Sequence, residues 1–191
     1  MSAVVVPLLT AAEYLAIERT AYSRSEFHDG VMYAMAGGTH RHSRVKANCL
    51  VALGIRLRGK ACQPTDSDMR VLIETTGLYT YPDLSVICGA PKFEDEHQDC
   101  VTNPTLIVEV LSPSTETYDR GKKFWNYRHL PSLTDYVLIS SEEILIEHFA
   151  RQPSGQWLLT TLEGPDALWK IPSLDLGIPL SEIFADLPDP A

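Results

Sequence analysis

The sequence predicts a fold of the α+β (mixed α/β) class, in which helices flank a curved mixed sheet. Three observations lead to this prediction: apolar residues recur at helical spacing from Val45 to Leu57, short strand-like runs follow them, and a second helical pattern begins near Glu116. The chain has 191 residues, of which 45% are hydrophobic, which is enough for one well-buried core. We therefore expect a single domain over residues 1–191, with its core between about residues 10 and 187.

The first predicted elements are a short helix and a hairpin. Thr10 and Glu13 have the spacing of a capping box, in which each side chain satisfies an exposed amide of the first turn. A helix should therefore run to about Arg19. Asp29-Gly30 suits the positive backbone angles of a tight turn, so residues 26–28 and 31–35 should form two antiparallel strands.

The main core helix is predicted after Gly37-Gly38. Val45, Cys49, Leu53 and Leu57 recur every four residues, and Gly59 ends the pattern.

The later elements alternate between strands and one further helix. Strands are predicted at residues 69–73, 79–81, 84–88, 106–111, 135–140, 143–150 and 156–162. A helix over residues 116–129 places Asp119, Lys123 and Tyr127 on one face through their four-residue spacing. The tail from residue 165 onwards is rich in Pro and Asp and carries one helical stretch, residues 180–187.

The cysteines and the N-terminal sequence indicate the cellular compartment of the protein. Cys49, Cys62, Cys88 and Cys100 lack CxxC spacing, so we expect reduced and mostly buried thiols. The N-terminus lacks a basic region followed by a long apolar stretch, and no run reaches the ~18 apolar residues of a membrane helix. These features predict a cytoplasmic protein without membrane contact.

The charge distribution points to a nucleic-acid partner more than the net charge does. The formal charge is -9, which alone disfavours binding to phosphates. However, residues 30–65 contain no acid, and basic side chains gather there and again after residue 119. The candidates for phosphate contacts are Arg41, Arg44, Lys46, Arg120 and Lys122. A solvated helix face is the alternative interpretation of either group.

The strongest functional signal is an ordered set of two acids and one lysine: Asp83, Glu109 and Lys123. Glu109 lies in the middle of an apolar run, and burying an unpaired carboxylate there would cost roughly several kcal/mol. A divalent ion shared with Asp83 would remove that cost. The alternatives are a buried ion pair with Arg or Lys for Glu109, and a turn or capping role for Asp83.

Several motifs together resemble the Uma-two family of restriction endonucleases, a bacterial group built on the PD-(D/E)XK nuclease fold. The match runs from about Thr10 to Leu187. Its main motifs are Glu26-Phe27-His28-Asp29-Gly30, His42 at the start of the core helix, Asp66-Ser67-Asp68-Met69-Arg70-Val71, Tyr81-Pro82-Asp83-Leu84, Val108-Glu109-Val110-Leu111-Ser112-Pro113 and Tyr118-Asp119-Arg120-Gly121-Lys122-Lys123.

The resemblance implies a Mg²⁺-dependent nuclease core, with Mn²⁺ able to substitute. Its metal ligands would be Asp83, Glu109 and the Val110 carbonyl. The general nuclease pattern places a lysine two residues after the second acid, but this chain has Leu111 there. The lysine role then passes to Lys123, with Lys122 as the alternative.

Two further residues are candidates for the catalytic site. Glu26 would add a metal ligand or hold the lysine. His42 would orient a water or the phosphate, although it also shares a helix face with Val45, Cys49 and Leu53, as a core histidine would.

The resulting hypothesis is a Mg²⁺-dependent DNA endonuclease. The alternative is a catalytically inactive module on the same fold that binds nucleic acid or another protein. A homodimer is expected because cutting both strands requires two sites and the chain carries one.

Overall fold

The computed structural model describes residues 8–187, so the N-terminal segment considered above lies outside the described residues. Its α-helices are α1 (Ala11–Glu18), α2 (His40–Leu57), α3 (Glu116–Tyr118), α4 (Phe124–Tyr127) and α5 (Leu180–Ile183). A π-helical turn, Asp119–Lys123, joins α3 to α4, and a short 3-10 helix spans Pro172–Leu174.

Thirteen strands are present among residues 8–187. They are β1 (Ser25–His28), β2 (Val31–Ala34), β3 (Cys62–Asp66), β4 (Arg70–Ile73), β5 (Leu78–Thr80), β6 (Leu84–Cys88), β7 (Cys100–Val101), β8 (Leu106–Leu111), β9 (Asp135–Ser140), β10 (Leu145–Arg151), β11 (Trp157–Glu163), β12 (Leu168–Ile171) and β13 (Leu176–Pro179).

The larger sheet has six strands in the order β11-β10-β9-β8-β6-β3. It is mixed, because β8 runs parallel to β9 while the other neighbours are antiparallel. The apolar stripe of α2 packs on one face, where Val45, Cys49 and Leu53 share a core cluster with Leu106 and Val108. Strand β8 is buried along its whole length, which explains why its sequence is almost entirely apolar.

The second sheet has five strands in the order β2-β1-β5-β4-β7. Its β1–β2 hairpin turns at Asp29 and Gly30, which have φ angles of 52° and 81°, as the Asp-Gly signal predicts. Helix α1 covers this sheet through Tyr14, whose ring stacks on Phe27 with centroids 4.8 Å apart. The Thr10–Glu13 capping box is formed.

The predicted α+β class is confirmed, and β6, β8 and β9 have the predicted bounds. Three differences stand out. The strands β3 and β7 were not predicted, and the C-terminal tail contains more than the helical stretch predicted at residues 180–187, which is itself shorter than expected. The tail forms the two-stranded sheet β12–β13, whose Trp169, Ile171 and Ile178 are fully buried in the α2 cluster, before the short helix α5.

The prediction of four reduced thiols is wrong for two of them. Cys62 and Cys88 lie directly opposite each other in the β3–β6 pair and form a disulfide. Spacing along the chain could not reveal this pairing, because strand register decides which residues meet. Cys49 and Cys100 are free and buried, as expected.

None of the helices within residues 8–187 combines the length and the apolar character needed to cross a bilayer.

Candidate active site

Strand pairing brings Asp83 and Glu109 together. The antiparallel register pairs Leu84 with Val108, and continuing it by one residue places Asp83 opposite Glu109. The backbone pairing of β6 with β8 ends at Leu84 and Val108. Beyond it, a side chain accepts the next hydrogen bond: Asp83 Oδ2 accepts from the Val110 amide at 2.9 Å. In return, the Asp83 amide lies 3.3 Å from Glu109 Oε2.

Lys123 reaches these acids from the helical segment that follows β8. Its Nζ lies 2.9 Å from Glu109 Oε1, 3.3 Å from Glu26 Oε1 and 3.6 Å from Asp119 Oδ1. Only 5% of Lys123 is exposed, so the ammonium is enclosed by carboxylates rather than by water. Lys122, the alternative lysine, is exposed.

Hydroxyl groups complete the surroundings of the two glutamates. The Tyr127 hydroxyl donates to Glu109 Oε1 at 2.8 Å. The hydroxyls of Thr80 and Tyr118 donate to the two carboxylate oxygens of Glu26, the second at 3.1 Å. Sequence reasoning placed Tyr127 on the helix face of Asp119 and Lys123 without a catalytic role, and it assigned neither Thr80 nor Tyr118 to the site. The helical spacing of Asp119, Lys123 and Tyr127 was the available signal for Tyr127, whereas Thr80 depends on the β1–β5 pairing, which has no local signature.

Helix α2 presents His42 and Lys46 to the other side of Asp83. Thr39 caps this helix by accepting from the His42 amide at 3.2 Å. The His42 ring lies over Gly38, where an added Cβ would come within 2.6 Å of Nδ1, and its Nε2 is 3.2 Å from Asp83 Oδ2. Lys46 Nζ is 3.8 Å from Asp83 Oδ1. His42 therefore contacts the site directly.

The two acids have opposite pKa shifts. Burial raises the pKa of Glu109 to about 8, because Lys123 only partly opposes it while the charges of Asp119 and Asp83 add to it. For Asp83, burial acts in the same direction, but His42, the Val110 amide and Lys123 outweigh it and hold the pKa below the usual value. The two acids thus differ in how readily they ionise: Asp83 loses its proton more easily than an ordinary aspartate, and Glu109 less easily than an ordinary glutamate.

Lys123 remains a cation despite its burial. Desolvation alone would lower its pKa, but the carboxylates of Glu109, Glu26 and Asp119 raise it well above the usual value. Burial also raises the pKa of Asp119, although Lys123 opposes this shift. One ammonium group thus contacts three carboxyl groups, so the cluster would have a net negative charge if all three were ionised.

Asp83 and Glu109 supply oxygen donors of the kind that a hard divalent cation prefers. No group of three or more His, Cys, Asp or Glu side chains between residues 8 and 187 is arranged to hold a metal ion. The donor set is therefore the two carboxylates, and Mg²⁺ commonly uses one or two carboxylates together with several waters. The oxygens with the longest contacts are Asp83 Oδ1, 3.8 Å from Lys46, and Glu109 Oε2, 3.3 Å from the Asp83 amide.

The predicted phosphate-binding residues divide into three kinds. Lys46 and Lys122 lie beside the acids. Arg41 and Arg120 are engaged elsewhere: Arg41 donates to the Ser141 and Glu142 carbonyls, and Arg120 pairs with Glu116 and Glu147. Arg44 is partly buried, and no hydrogen bond or ion pair joins it to another of the residues described.

Two open cavities flank the acid cluster. The first, of about 530 Å³, is lined by residues that include Tyr22, Arg24, Lys46 and Asp83. The second, which we call the tyrosine cavity, measures about 560 Å³, and its lining includes Glu26, Tyr33, Tyr118, Lys122 and Lys123. Met35 and Ala36, which follow β2, line both cavities.

Two proteins resemble this chain in sequence, and one solved structure resembles it in fold. Two uncharacterised proteins of Synechocystis sp. are 38% and 41% identical to the chain; the first match covers 95% of this chain and 94% of the relative, and the second covers 84% and 90%. A crystal structure titled as a putative nuclease belonging to DUF820 from Anabaena variabilis superposes with a TM-score of 0.75 at 19% identity. That match covers 93% of this chain and 98% of the other, and it shows that the fold is shared.

The family assignment rests on a sequence profile. Residues 11–181 match the profile described as "Uma2: Putative restriction endonuclease", and this range contains every acid and lysine of the site. The chain therefore belongs to the Uma2 family of restriction endonuclease-like proteins, as the resemblance of its motifs predicted.

Proposed function

We propose that this protein is a Mg²⁺-dependent endonuclease that hydrolyses phosphodiester bonds of DNA. The observation that carries the proposal is the position of Lys123: its ammonium lies 2.9 Å from Glu109, which stands opposite Asp83 in the neighbouring strand. Two acids and one lysine at a single point supply the groups that hydrolysis of a phosphodiester needs, although the lysine comes from a helix rather than from the strand.

Asp83 and Glu109, with the Val110 carbonyl, would hold the metal ion. When bound, Mg²⁺ lowers the pKa of a coordinated water and offsets negative charge on the phosphate. Mn²⁺ should substitute, because it also prefers oxygen ligands in octahedral geometry.

The remaining roles belong to the chain's own side chains. Lys123 orients the attacking water and stabilises the negative charge that develops on it. Glu26 holds Lys123 through the 3.3 Å contact, and the Thr80 and Tyr118 hydroxyls fix Glu26 in turn. His42 donates to Asp83 and keeps that carboxylate oriented.

Lys46 and Lys122 would contact the phosphates on either side of the scissile bond. Each lies in a cavity next to the acids, and a Lys ammonium binds a phosphate as a mobile point charge. Arg41 and Arg120 are poorer candidates than the sequence suggested, because their guanidinium groups are used in contacts within the protein.

The proposal is tested by cleavage of supercoiled plasmid and of single-stranded DNA in Mg²⁺, Mn²⁺ or EDTA. Glu109→Gln and Lys123→Met should each lower the rate by roughly 100-fold or more, as loss of a group that stabilises transition-state charge does. Lys92→Met is the matched control, because Lys92 is exposed and lies outside the site. Its rate should equal that of the wild type.

Two results would contradict the proposal. One is the absence of cleavage by the wild type in either metal on any of these DNAs. The other is cleavage that survives Glu109→Gln, which would trace the activity to a contaminating nuclease. Circular dichroism of each variant establishes that the fold is intact.

A homodimer belongs to the same proposal, since a double-strand cut requires two copies of the site. Sedimentation velocity with and without a duplex oligonucleotide measures the stoichiometry. A single protomer per duplex, accompanied by nicking only, would limit the proposal to single-strand cleavage.

A further inference from the structure

We infer that the tyrosine cavity binds one unpaired nucleotide of DNA, so that the substrate of the site is single-stranded or locally unpaired DNA. This inference rests on the proposed function, because the cavity opens beside Lys123 and Glu26 of the candidate nuclease site. It adds the class of substrate, which neither the family nor the acid cluster specifies.

The first argument is register. In the β1–β2 hairpin, Glu26 pairs directly with Tyr33, so the two side chains leave the same face as neighbours, with Cβ atoms about 4.5–5.5 Å apart. Glu26 holds Lys123, so Tyr33 stands next to the lysine that we assign to the reaction. Tyr33 is 50% exposed and lines the cavity, which leaves part of its ring available to a ligand.

The second argument is the lining of the cavity. Tyr118 contributes a second ring, and its hydroxyl is fixed on Glu26 at 3.1 Å. Met35 and Ala36 add apolar surface at the boundary with the neighbouring cavity. Aromatic faces beside apolar side chains are the usual platform for a nucleobase, and stacking on them tolerates any base.

The third argument is charge. The exposed Lys122 and the buried Lys123 both line the cavity; the Lys122 ammonium is available to a phosphate of a bound nucleotide, whereas the Lys123 ammonium is paired with carboxylates. Glu26 and Asp119 also line the cavity, so a bound anion needs the gain from stacking a base as well as the attraction of Lys122. The combination suits a nucleotide better than free phosphate.

The fourth argument is size and access. The cavity measures about 560 Å³, within the roughly 300–1,000 Å³ range of small-molecule sites, so its volume suits one nucleotide. Glu109 and Lys123 are 3% and 5% exposed. A phosphate approaches such buried side chains more readily when its nucleotide can leave the duplex stack, and this costs least for a strand that is already unpaired.

The test uses fluorescence anisotropy with labelled oligonucleotides in EDTA at low ionic strength, so binding is measured without cleavage. The probes are a single strand, the matching duplex, and that duplex with a one-nucleotide bulge. The wild type should bind the single strand and the bulge at least tenfold more tightly than the duplex. Tyr33→Ala should weaken binding of the single strand by about 5- to 150-fold, the fold-change equivalent to stacking one base.

Two variants keep the test specific. Tyr33→Phe retains the ring and should bind the single strand like the wild type. Weaker binding by this variant would show that the hydroxyl, rather than the ring, contacts the DNA. Trp125→Ala removes an aromatic side chain of similar exposure, 47%, that does not line the cavity, and it should also bind like the wild type.

The outcomes separate this inference from the proposed function. If Tyr33→Ala binds and cleaves like Trp125→Ala, or the duplex binds as tightly as the single strand, the inference is overturned while nuclease activity stands. If single-strand binding depends on Tyr33 but no DNA is cut in Mg²⁺ or Mn²⁺, the cavity is supported as a nucleotide site and the nuclease assignment fails.

Discussion

Glu109 is an acid of the site whose charged form is disfavoured by its surroundings. Its carboxyl group is 3% exposed, receives hydrogen bonds from Tyr127 and the Asp83 amide, and shares Lys123 with two other acids. Burial, together with the charges of Asp119 and Asp83, raises the pKa of Glu109 to about 8, although Lys123 opposes this shift. A divalent cation would supply the missing positive charge.

The raised pKa of Glu109 predicts a pH-dependent stability in EDTA. Between the ordinary carboxyl pKa, about 4.3, and about 8, the folded protein keeps a proton that the unfolded chain has lost. The contribution of Glu109 to the free energy of unfolding therefore falls as pH rises through this window, by at most about 1.4 kcal/mol per pH unit. Above pH 8 it is constant.

The measurement is the melting temperature of wild type and Glu109→Gln between pH 5 and pH 9. Because Gln cannot titrate, the melting temperature of the variant should rise relative to that of the wild type up to about pH 8. Above that pH, the difference between the two melting temperatures should stay constant. Glu143→Gln, at an exposed position, controls for the loss of one acidic side chain. A Glu109→Gln difference that does not vary with pH would show that Glu109 is ionised throughout.

At the residue scale, sequence reasoning identified which residues meet but not what surrounds them. Glu109 stood out because an apolar run contained a charge, and family motifs added Glu26 and His42. The contacts of the Thr80 and Tyr118 hydroxyls with Glu26 were not predicted, although Tyr118 stands in a family motif, because they depend on how β1, β5 and the helical segment after β8 pack together. Hydrogen-bond partners from distant elements are set by the tertiary structure.

At the scale of elements, the β1–β2 hairpin matters most, since it carries both Glu26 and Tyr33. Gly30 has φ +81°, and a Cβ there would lie 2.6 Å from the Leu8 Cβ. Gly155, in the β10–β11 turn, has φ +83° but open space around it. The two glycines thus separate the cost of the backbone conformation from the cost of a clash.

Gly155→Ala should therefore lower the free energy of unfolding by about 1–2 kcal/mol, the cost of the left-handed conformation for a residue with a Cβ. Gly30→Ala should lower it further, because it adds the clash with Leu8. Urea denaturation at constant m-value measures both. Equal losses would mean that Leu8 moves aside at no cost.

The disulfide between β3 and β6 gives a second prediction for an element. It closes a loop with a sequence separation of 26 residues, so its removal should cost about 3–3.5 kcal/mol in the chain-entropy account. The double variant Cys62→Ser/Cys88→Ser should melt at a lower temperature than the wild type, and dithiothreitol should lower the melting temperature of the wild type only.

A thiol count provides the direct check on the disulfide. In denaturant without reductant, the wild type should show two reactive thiols, Cys49 and Cys100, out of four cysteines. A count of four would restore the prediction that all the cysteines are reduced.

The elements that sequence reasoning missed share a physical cause. Strand β3 contains Pro64 and polar residues and lies at the sheet edge, where a proline is tolerated but the usual strand signal is weak. Strand β7 has two residues and gives no periodicity. The β12–β13 pair lies in a Pro- and Asp-rich tail, and its apolar residues are too few to indicate a strand before they are seen against α2.

For the whole molecule, the central feature is that three separate parts of the chain meet at one point. The six-stranded sheet supplies Asp83 and Glu109, the five-stranded sheet supplies Glu26, and the helical segment between them supplies Lys123. Four acids, Asp83, Glu109, Glu26 and Asp119, thus lie close to one another, where a metal ion would reduce the repulsion between their charges.

This arrangement predicts stabilisation by Mg²⁺. An ion that binds only the folded state adds about 2.7 kcal/mol to the free energy of unfolding at one hundred times its Kd, equivalent to roughly 5–10 °C for a protein of this size. Differential scanning fluorimetry with MgCl₂, against NaCl of equal ionic strength, measures the shift. Asp83→Asn should abolish most of it; an equal shift in that variant would place the ion elsewhere.

The residues Met35 and Ala36 form part of the walls of both cavities. A ligand that displaced either residue from one side would alter the wall of the other cavity. Any effect of such a ligand on affinity at the Lys46 side would be reciprocal, because two binding equilibria that influence each other do so by the same factor.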